Sequence, residues 1–513
     1  MENEFLNYLK IKNILLEKSL FDIISEIENI EKKKRIIDLL EKISGQKIIT
    51  KSILSKNKEA FQKVKNEIDK EDETILKKIF FEIGINLEAT NEDLNENKNL
   101  KNEQNSSYKI FYSETNVNKK IEVEDFTNYF RSRYQQIQRI LMGRPELSNL
   151  ISIGKISSNR QNLSIIGIVS EKRTTRNKNI IIRLEDLTGT IDAIARPERK
   201  DAFEKAEELQ LDEVIGIKAN GNRDMLFIQD IIYPDALITE KTRFNEDISI
   251  AFISDIHAGS SLHLGDCFEK FIKWINEDEY AKKIKYIFFV GDNVDGVGIF
   301  PSQEKLLKLK SMREQYTLLA SYLRKIPKEI TMFMCPGQHD AVRVAEPQPV
   351  ISKKYAAPLY EIENLVLVSN PAMIKLLERK KEFKILMYHG ASIHTFINEI
   401  KELRESKAHK TPAKAVKYML KKRHLAPTHS SVAYIPLAEK DPLTITEVPD
   451  ILCTGEVHRL DIENYNGVLI ITGSCWQSRT PYEEKVGNEP EPCKVPVFNL
   501  KTRELKIFDF SDS

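Results

Sequence analysis

Through the first 85 residues, apolar positions recur every three to four places with Lys and Glu between them, as in Phe5 to Leu16 and Leu20 to Ile43. That spacing predicts short amphipathic helices, so 1–85 reads as a small helical module. From 86 to 120 the pattern collapses into polar sequence that includes Asn91, Asn95, Asn97, Asn99, Asn102 and Asn105. Such a stretch cannot bury enough apolar surface to offset its ordering entropy, and it reads as a disordered linker. A helical stripe then returns within 121–149. Phe126, Phe130, Tyr134, Ile137 and Leu141 share one side of a helix over 123–142, while Arg131, Arg133 and Arg139 fall elsewhere. This predicts a connecting helix packed on the next domain.

Between 150 and 240 the period shortens to that of strands. Candidates are Leu163 to Ser170, Asn179 to Leu184, Thr190 to Ala195, Val214 to Ala219 and Met225 to Gln229, with turn signals at Asp186 to Gly189 and Asn220 to Arg223. A helical stretch, Glu198 to Leu209, separates the third strand from the fourth. Five strands with a helix there match the OB-fold, a small Greek-key barrel. From 246 to 513, strands ending near 253, 290, 335, 369, 388, 454 and 472 alternate with helices such as Cys267 to Trp274 and Leu306 to Leu323, which predicts a layered α/β sandwich.

A chain of 513 residues, 41% apolar and 30% charged, has room for two to four globular domains. No apolar run approaches the ~20 residues of a membrane span, and the N-terminus lacks the pattern of a secretory signal, so a cytoplasmic location is expected and no membrane partner. The five cysteines are scattered and never spaced as Cys-x-x-Cys, which argues against disulfides and structural zinc. A net charge of +1 sets this chain apart from strongly basic DNA binders, so contact with nucleic acid must come through local patches or a partner. The densest basic run, nine Lys or Arg within 401–423, is either a solvated helix face or a phosphate-tracking surface.

All nine histidines lie between 257 and 458. Five short blocks there each follow an apolar strand: Asp255-x-His257, Gly291-Asp292-x-x-Asp295, Gly337-Gln338-His339-Asp340, His389-Gly390 and Gly455-Glu456-x-His458. Any one alone is weak, but five in series at strand tips suggest a metal site. Carboxylate, carboxamide and imidazole together suit Mn²⁺, Fe²⁺ or Zn²⁺ better than an oxygen-only magnesium cage. His263, His394, His409, His424 and His429 match no motif and are expected to be ordinary surface or core residues.

The order of the blocks resembles the calcineurin-like metallophosphoesterases. That resemblance implies two divalent metals, Mn²⁺ foremost with Mg²⁺, Fe²⁺ or Zn²⁺ as alternatives. Asp255, His257, Asp292 and His458 would hold the first. Asp292 would bridge to a second, shared with His389, and His339 would be the acid beside the scissile phosphate. Two departures fall on the second metal: Gln338 stands where the pattern has Asn, and Glu456 where it has His. Either both still ligate, favouring a harder cation, or the second site is weakened or empty. Asp295 is expected to orient the loop rather than to ligate.

The barrel placed before such a domain, with Asn128-Tyr-Phe-Arg-Ser-Arg-Tyr134 upstream, narrows the likeness. With Gly296-Val-Gly-Ile-Phe-Pro301, Cys335-Pro-Gly-Gln-His-Asp-Ala-Val-Arg343, Val448 to Gly455 and Gly473-Ser-Cys-Trp-Gln-Ser478, the chain resembles the small-subunit family of the archaeal family-D DNA polymerases. The resemblance runs from about 121 to 500. It implies a large catalytic polymerase subunit as partner, a primer 3′ end or single strand of DNA as substrate, a nucleoid-associated setting and a 3′→5′ exonuclease. The alternative is a subunit whose site has degenerated and which only scaffolds the polymerase.

Overall fold

The computed structural model describes residues 2–25, 30–50, 53–54, 76, 107–112, 120–156, 160–437 and 439–511. The chain divides into two units, Met1–Lys101 and Asn102–Ser513. In the first, helices Glu2–Lys12, Lys18–Ser25 and Ile30–Ser44 bury Phe5, Leu20, Ile24, Ile36, Ile37 and Leu40. These are the positions that the three-to-four spacing puts on one side. The helical expectation beyond residue 54 lies outside the described residues, Leu76 excepted, as does the linker over 86–106.

The expected linker is corrected at its end. Tyr108–Tyr112 forms a strand, β1, because its run of aromatic and branched residues carries enough apolar surface to dock. Tyr108 and Ile110 pack on a buried core, and the Tyr108 ring meets Phe333 edge-on at 4.9 Å. The connecting helix α1, Val123–Met142, sets Tyr134, Ile137 and Leu141 against Leu147, Ile166, Val214 and Ile232.

Strands β2 (Arg160–Thr174), β3 (Ile180–Asp186), β4 (Gly189–Ala195), β5 (Val214–Gly221) and β6 (Leu226–Ile232) close a barrel in the order β2-β3-β4-β6-β5. Ile180, Ile182 and Leu184 point inward at period two. The helix Lys200–Glu208 between β4 and β5 adds Ala202 and Ala206 to the same core.

Eleven further strands follow. They are β7 (Ser249–Ile253), β8 (Ile284–Val290), β9 (Thr331–Cys335), β10 (Leu365–Leu367), β11 (Ala372–Glu378), β12 (Lys381–Met387), β13 (Ile451–Thr454), β14 (Asp461–Tyr465), β15 (Val468–Thr472), β16 (Lys494–Asn499) and β17 (Leu505–Asp509). With β1 they make two six-stranded sheets, β10-β9-β8-β7-β16-β17 and β14-β15-β13-β12-β11-β1. Between the sheets, Ile250, Phe252, Phe288 and Phe333 meet Ile374, Phe383, Ile385 and Ile471. The alternate residues Ala251, Ile253, Ile287 and Phe289 pack instead with helices Gly265–Glu277 and Met312–Leu323. On the far side, Leu386, Leu452 and Ile470 are covered by helices Ile393–Glu399 and Ala413–Lys422. Burial on both faces explains why these strands read as unbroken apolar runs. Strands β7, β8 and β9 are mutually parallel, as are β12, β13 and β15. Their C-terminal ends are where an α/β layer architecture opens a crevice.

One reading of α1 is corrected. Arg133, expected away from the packed stripe, is 2% exposed. Its Nε donates to Asp441 Oδ2 at 2.6 Å and its Nη1 donates to the Asp212 carbonyl at 3.2 Å. Tyr129 donates to Asp441 Oδ1 at 2.8 Å, and His424 Nε2 lies 2.8 Å from Oδ2. A distant carboxylate draws the guanidinium inward, and helical spacing carries no signal of that partner. The cluster ties helix, barrel and sandwich together.

Candidate metal centre

The five blocks leave the strands through sharp turns. Asp255, His257, Asp292, Glu456 and His458 all have φ between 46° and 73°, the left-handed region that residues with a Cβ seldom occupy. Each such residue costs roughly 1–3 kcal/mol, and they persist only where the surroundings fix them. Here the turns interlock: Asp255 N donates to Gly291 O at 3.1 Å, His257 N to Asp292 O at 3.0 Å and Trp476 N to Asp255 O at 2.9 Å. Gly337 is required by proximity, since a Cβ there would stand 2.2 Å from Asp292 Oδ1.

The turns gather Asp255, His257, Asp292, His339, His389, Glu456 and His458 at one edge of the two sheets. Asp255 Oδ1 lies 3.6 Å from His458 Nε2, and His257 Nε2 lies 3.0 Å from His458 Nε2. Asp292 Oδ2 lies 3.3 Å from His389 Nε2 and 3.8 Å from His339 Nε2, while Glu456 Oε2 is 3.3 Å from His389 Nε2. Each imidazole has its Nδ1 against an oxygen. His389 donates to the Val290 carbonyl at 2.9 Å, His339 to the Asp295 carbonyl at 2.6 Å and His458 to Glu483 Oε1 at 2.9 Å. His257 Nδ1 sits 3.2 Å from Asp295 Oδ1. Acceptors at Nδ1 turn Nε2 inward on His339, His389 and His458, as outer partners do at metal sites, while His257 Nδ1 makes no hydrogen bond.

Three overlapping trios hold their ligand atoms within 4.8 Å of one another: Asp255, His257 and His458; His257, Asp292 and His339; and Asp255, Asp292 and His389. Asp255 Oδ2 and Gln338 Oε1 are buried acceptors without a hydrogen-bond partner, beside His389 Nε2 with its two carboxylates at 3.3 Å. An orphaned buried acceptor costs about 1–3 kcal/mol. Two of them at one centre with four imidazoles fit a divalent cation, and the mixed oxygen and nitrogen set fits a transition metal.

Electrostatics agree with that reading. Burial opposes charge on Asp292, yet His389 and His339 hold its carboxyl well below the usual range. Burial also opposes charge on His389, but Asp292 and Glu456 lift its pKa well above that of a free imidazole. Against the same opposition, Glu483 and Asp255 raise His458 to about 9. For Asp255, burial dominates and raises the pKa, with His458 and His389 pulling the other way. Protons thus neutralise a surplus of carboxylates and lone pairs that a cation would otherwise satisfy, and metal binding would release them.

Three partners of the centre escaped sequence reasoning. Glu483 buttresses His458 and sits in a Thr480-Pro-Tyr-Glu483 capping box, a readable helix signal that says nothing about its second contact. Gln477 Nε2 donates to Asp295 Oδ1 at 3.1 Å. His394, expected to be ordinary, places Nε2 3.5 Å from Glu456 Oε1. His424, also read as ordinary, lies in the Asp441 cluster far along the chain from every block.

The basic run 401–423 splits in two. Lys422 is buried against Glu213 at 2.9 Å, Lys421 pairs with Glu208, and Arg423 donates to the Ile445 carbonyl at 2.7 Å. That end joins sandwich to barrel and is no DNA surface. Arg404, Lys407 and Lys410 instead line a cleft of about 1430 Å³ over the metal centre.

Comparison with known proteins supplies the lineage. The B-subunit family of DNA polymerases alpha and epsilon matches residues 250–460, and an OB-fold nucleic acid binding domain matches 163–224. The chain is 37% identical over 398 residues to the DNA polymerase II small subunit of Methanothermobacter thermautotrophicus, covering 76% of this chain and 80% of that one. For the Thermoplasma acidophilum protein of the same name the figures are 34% over 410 residues, 79% and 81%. For the Pyrococcus furiosus protein they are 36% over 402 residues, 76% and 64%, so the match spans just under two thirds of that relative. This chain belongs to the family of archaeal DNA polymerase II small subunits.

Proposed function

We propose that the centre is a metal-dependent 3′→5′ exonuclease that removes misincorporated nucleotides, and that the chain works with the large catalytic subunit of a two-subunit replicative polymerase. The observation that carries this reading is the set of inward-facing imidazoles around orphaned acceptors, opening into a cleft with a basic wall. Asp255, His257, Asp292 and His458 would hold one divalent cation. Asp292, Gln338, His389 and Glu456 would hold a second, with Mn²⁺ the best match to a set richer in oxygen than the family pattern. When bound, such ions supply an activated water and neutralise charge on the phosphodiester. The Asp295 carbonyl fixes the His339 ring through Nδ1, leaving Nε2 to take up a proton and pass it to the departing 3′ oxygen.

A scaffold role is the second reading. It is favoured by Glu456, whose carboxylate already lies against His389 and His394 and whose pKa those imidazoles lower despite burial. The two-subunit enzyme should degrade a 3′-mismatched primer with Mn²⁺ or Mg²⁺, and His339→Ala should slow this about 10²–10⁴-fold. Absence of cleavage, with one ion or none bound per chain, would establish the scaffold instead. In that case Gln338→Asn with Glu456→His should restore activity if those positions are the cause.

A further inference from the structure

We propose that the loop 296–301 is a stacking platform for the unpaired terminal base of a DNA strand, so that the cleft receives frayed ends in preference to paired ones. This rests on the exonuclease reading above. Val297, Ile299 and Phe300 are 45%, 39% and 38% exposed, three large apolar side chains within four residues. Ile299 and Phe300 line the same cleft as His257, Asp292 and His339, and the Phe300 ring centroid lies 6.4 Å from that of His339.

The exposure is built into the backbone. Gly296 N donates to Gln315 Oε1 at 2.9 Å, and Gln315 Nε2 donates back to Gly296 O at 3.0 Å. Ile299 N donates to Gln303 Oε1 at 2.9 Å, while Gln303 Nε2 donates to Asp295 O at 2.8 Å. Both glutamines are buried, and Gly296 and Gly298 take φ of 78° and 77° at the bends. Pinned from beneath on both sides, the loop cannot turn its apolar side chains inward.

An exposed apolar surface that shares a cleft with Arg404, Lys407 and Lys410, the last of them paired with Glu489 at 3.2 Å, fits a ligand with a flat apolar face and an anionic backbone. A nucleobase on its strand has both. Stacking on an aromatic ring is worth about 1–3 kcal/mol per base and tolerates any sequence. It also selects among strand ends, because a base must leave its duplex to reach the ring and a mismatched base loses less in doing so.

The test uses the two-subunit enzyme with Mg²⁺ and a primer carrying 2-aminopurine at its 3′ end, protected by a terminal phosphorothioate linkage. Binding should quench the fluorophore by stacking. Phe300→Ala should remove the quench and weaken binding about tenfold, and Phe300→Trp should keep both. In the cleavage assay the preference for mismatched over paired ends should shrink in Phe300→Ala. Undiminished quenching and preference in that variant would overturn the platform while leaving the exonuclease intact. Phe300-dependent quenching without any cleavage would sink the exonuclease and keep the platform. Loss of the large subunit from Phe300→Ala, with quenching unaltered, would make the loop a protein contact and also overturn the proposal.

Discussion

Two buried clusters in this chain draw on the same chemistry and arrive at opposite states. At the junction, Arg133, Tyr129 and His424 surround Asp441, and both carboxylate oxygens are matched to donors. At the candidate metal centre, Asp255 Oδ2 and Gln338 Oε1 have no hydrogen-bond partner among the described residues. Burial and ionisable content alone would rank the two alike. What separates them is whether the polar atoms satisfy one another. A closed cluster specifies how domains sit, whereas an open one is arranged for something that arrives later.

The sharpest way to break that contrast is at Arg133. Arg133→Ala leaves Asp441 buried with too few partners and should cost about 3–5 kcal/mol of unfolding free energy, read from denaturant midpoints. Its Mn²⁺ affinity, measured on the folded protein, should match that of the unaltered chain. A fall in affinity instead would show that the junction reaches the centre.

The converse change is Glu483→Gln. Removing the charge behind His458 should weaken metal binding about 10–100-fold by titration calorimetry, because the ring loses its orienting carboxylate. Unfolding should move far less than for Arg133→Ala.

Acidity offers the gentlest separation. His389 and His458 hold protons without metal, His458 up to about 9, so Mn²⁺ affinity should fall steadily as pH drops from 9 to 7. Asp441 behaves otherwise. Burial opposes its charge, but His424 and Arg133 lower its folded pKa below the unfolded value of about 3.9. Its stabilisation is therefore complete above that value and is lost only on further acidification. The stability gap between the unaltered chain and Arg133→Ala should stay flat from pH 9 to 7.

Seven sandwich strands were legible because continuous apolar runs are local signals, and the described ends of β7, β8, β13 and β15 fall where the runs stop; β11, β14, β16 and β17 were not read. The five blocks could be read as a cluster because each is a short motif following such a strand. Arg133, His424 and Glu483 were not, since their meaning lies in partners 308, 17 and 25 positions away. The strand Tyr108–Tyr112 was lost in a polar neighbourhood, and only the partner strand Ala372–Glu378 gives its five residues a place. Lys421, Lys422 and Arg423 misled for the same reason. A basic run shows charge but not whether Glu208 and Glu213 lie opposite.

The left-handed turns at Asp255, His257, Asp292, Glu456 and His458 are fixed by main-chain hydrogen bonds and close-fitting glycines, and by two of the carboxylates they display: Asp255 Oδ1 accepts from Glu456 N and Asp292 Oδ1 from His339 N. At 456 and 338 the displayed side chain is thereby uncoupled from the turn that carries it, whereas at 255 and 292 it is not. A lineage can exchange imidazole for carboxylate at 456, or lengthen an amide at 338, and still inherit an intact crevice. The groups that the crevice displays at these two positions can then change by point substitution while the strands and turns around them stay as they are.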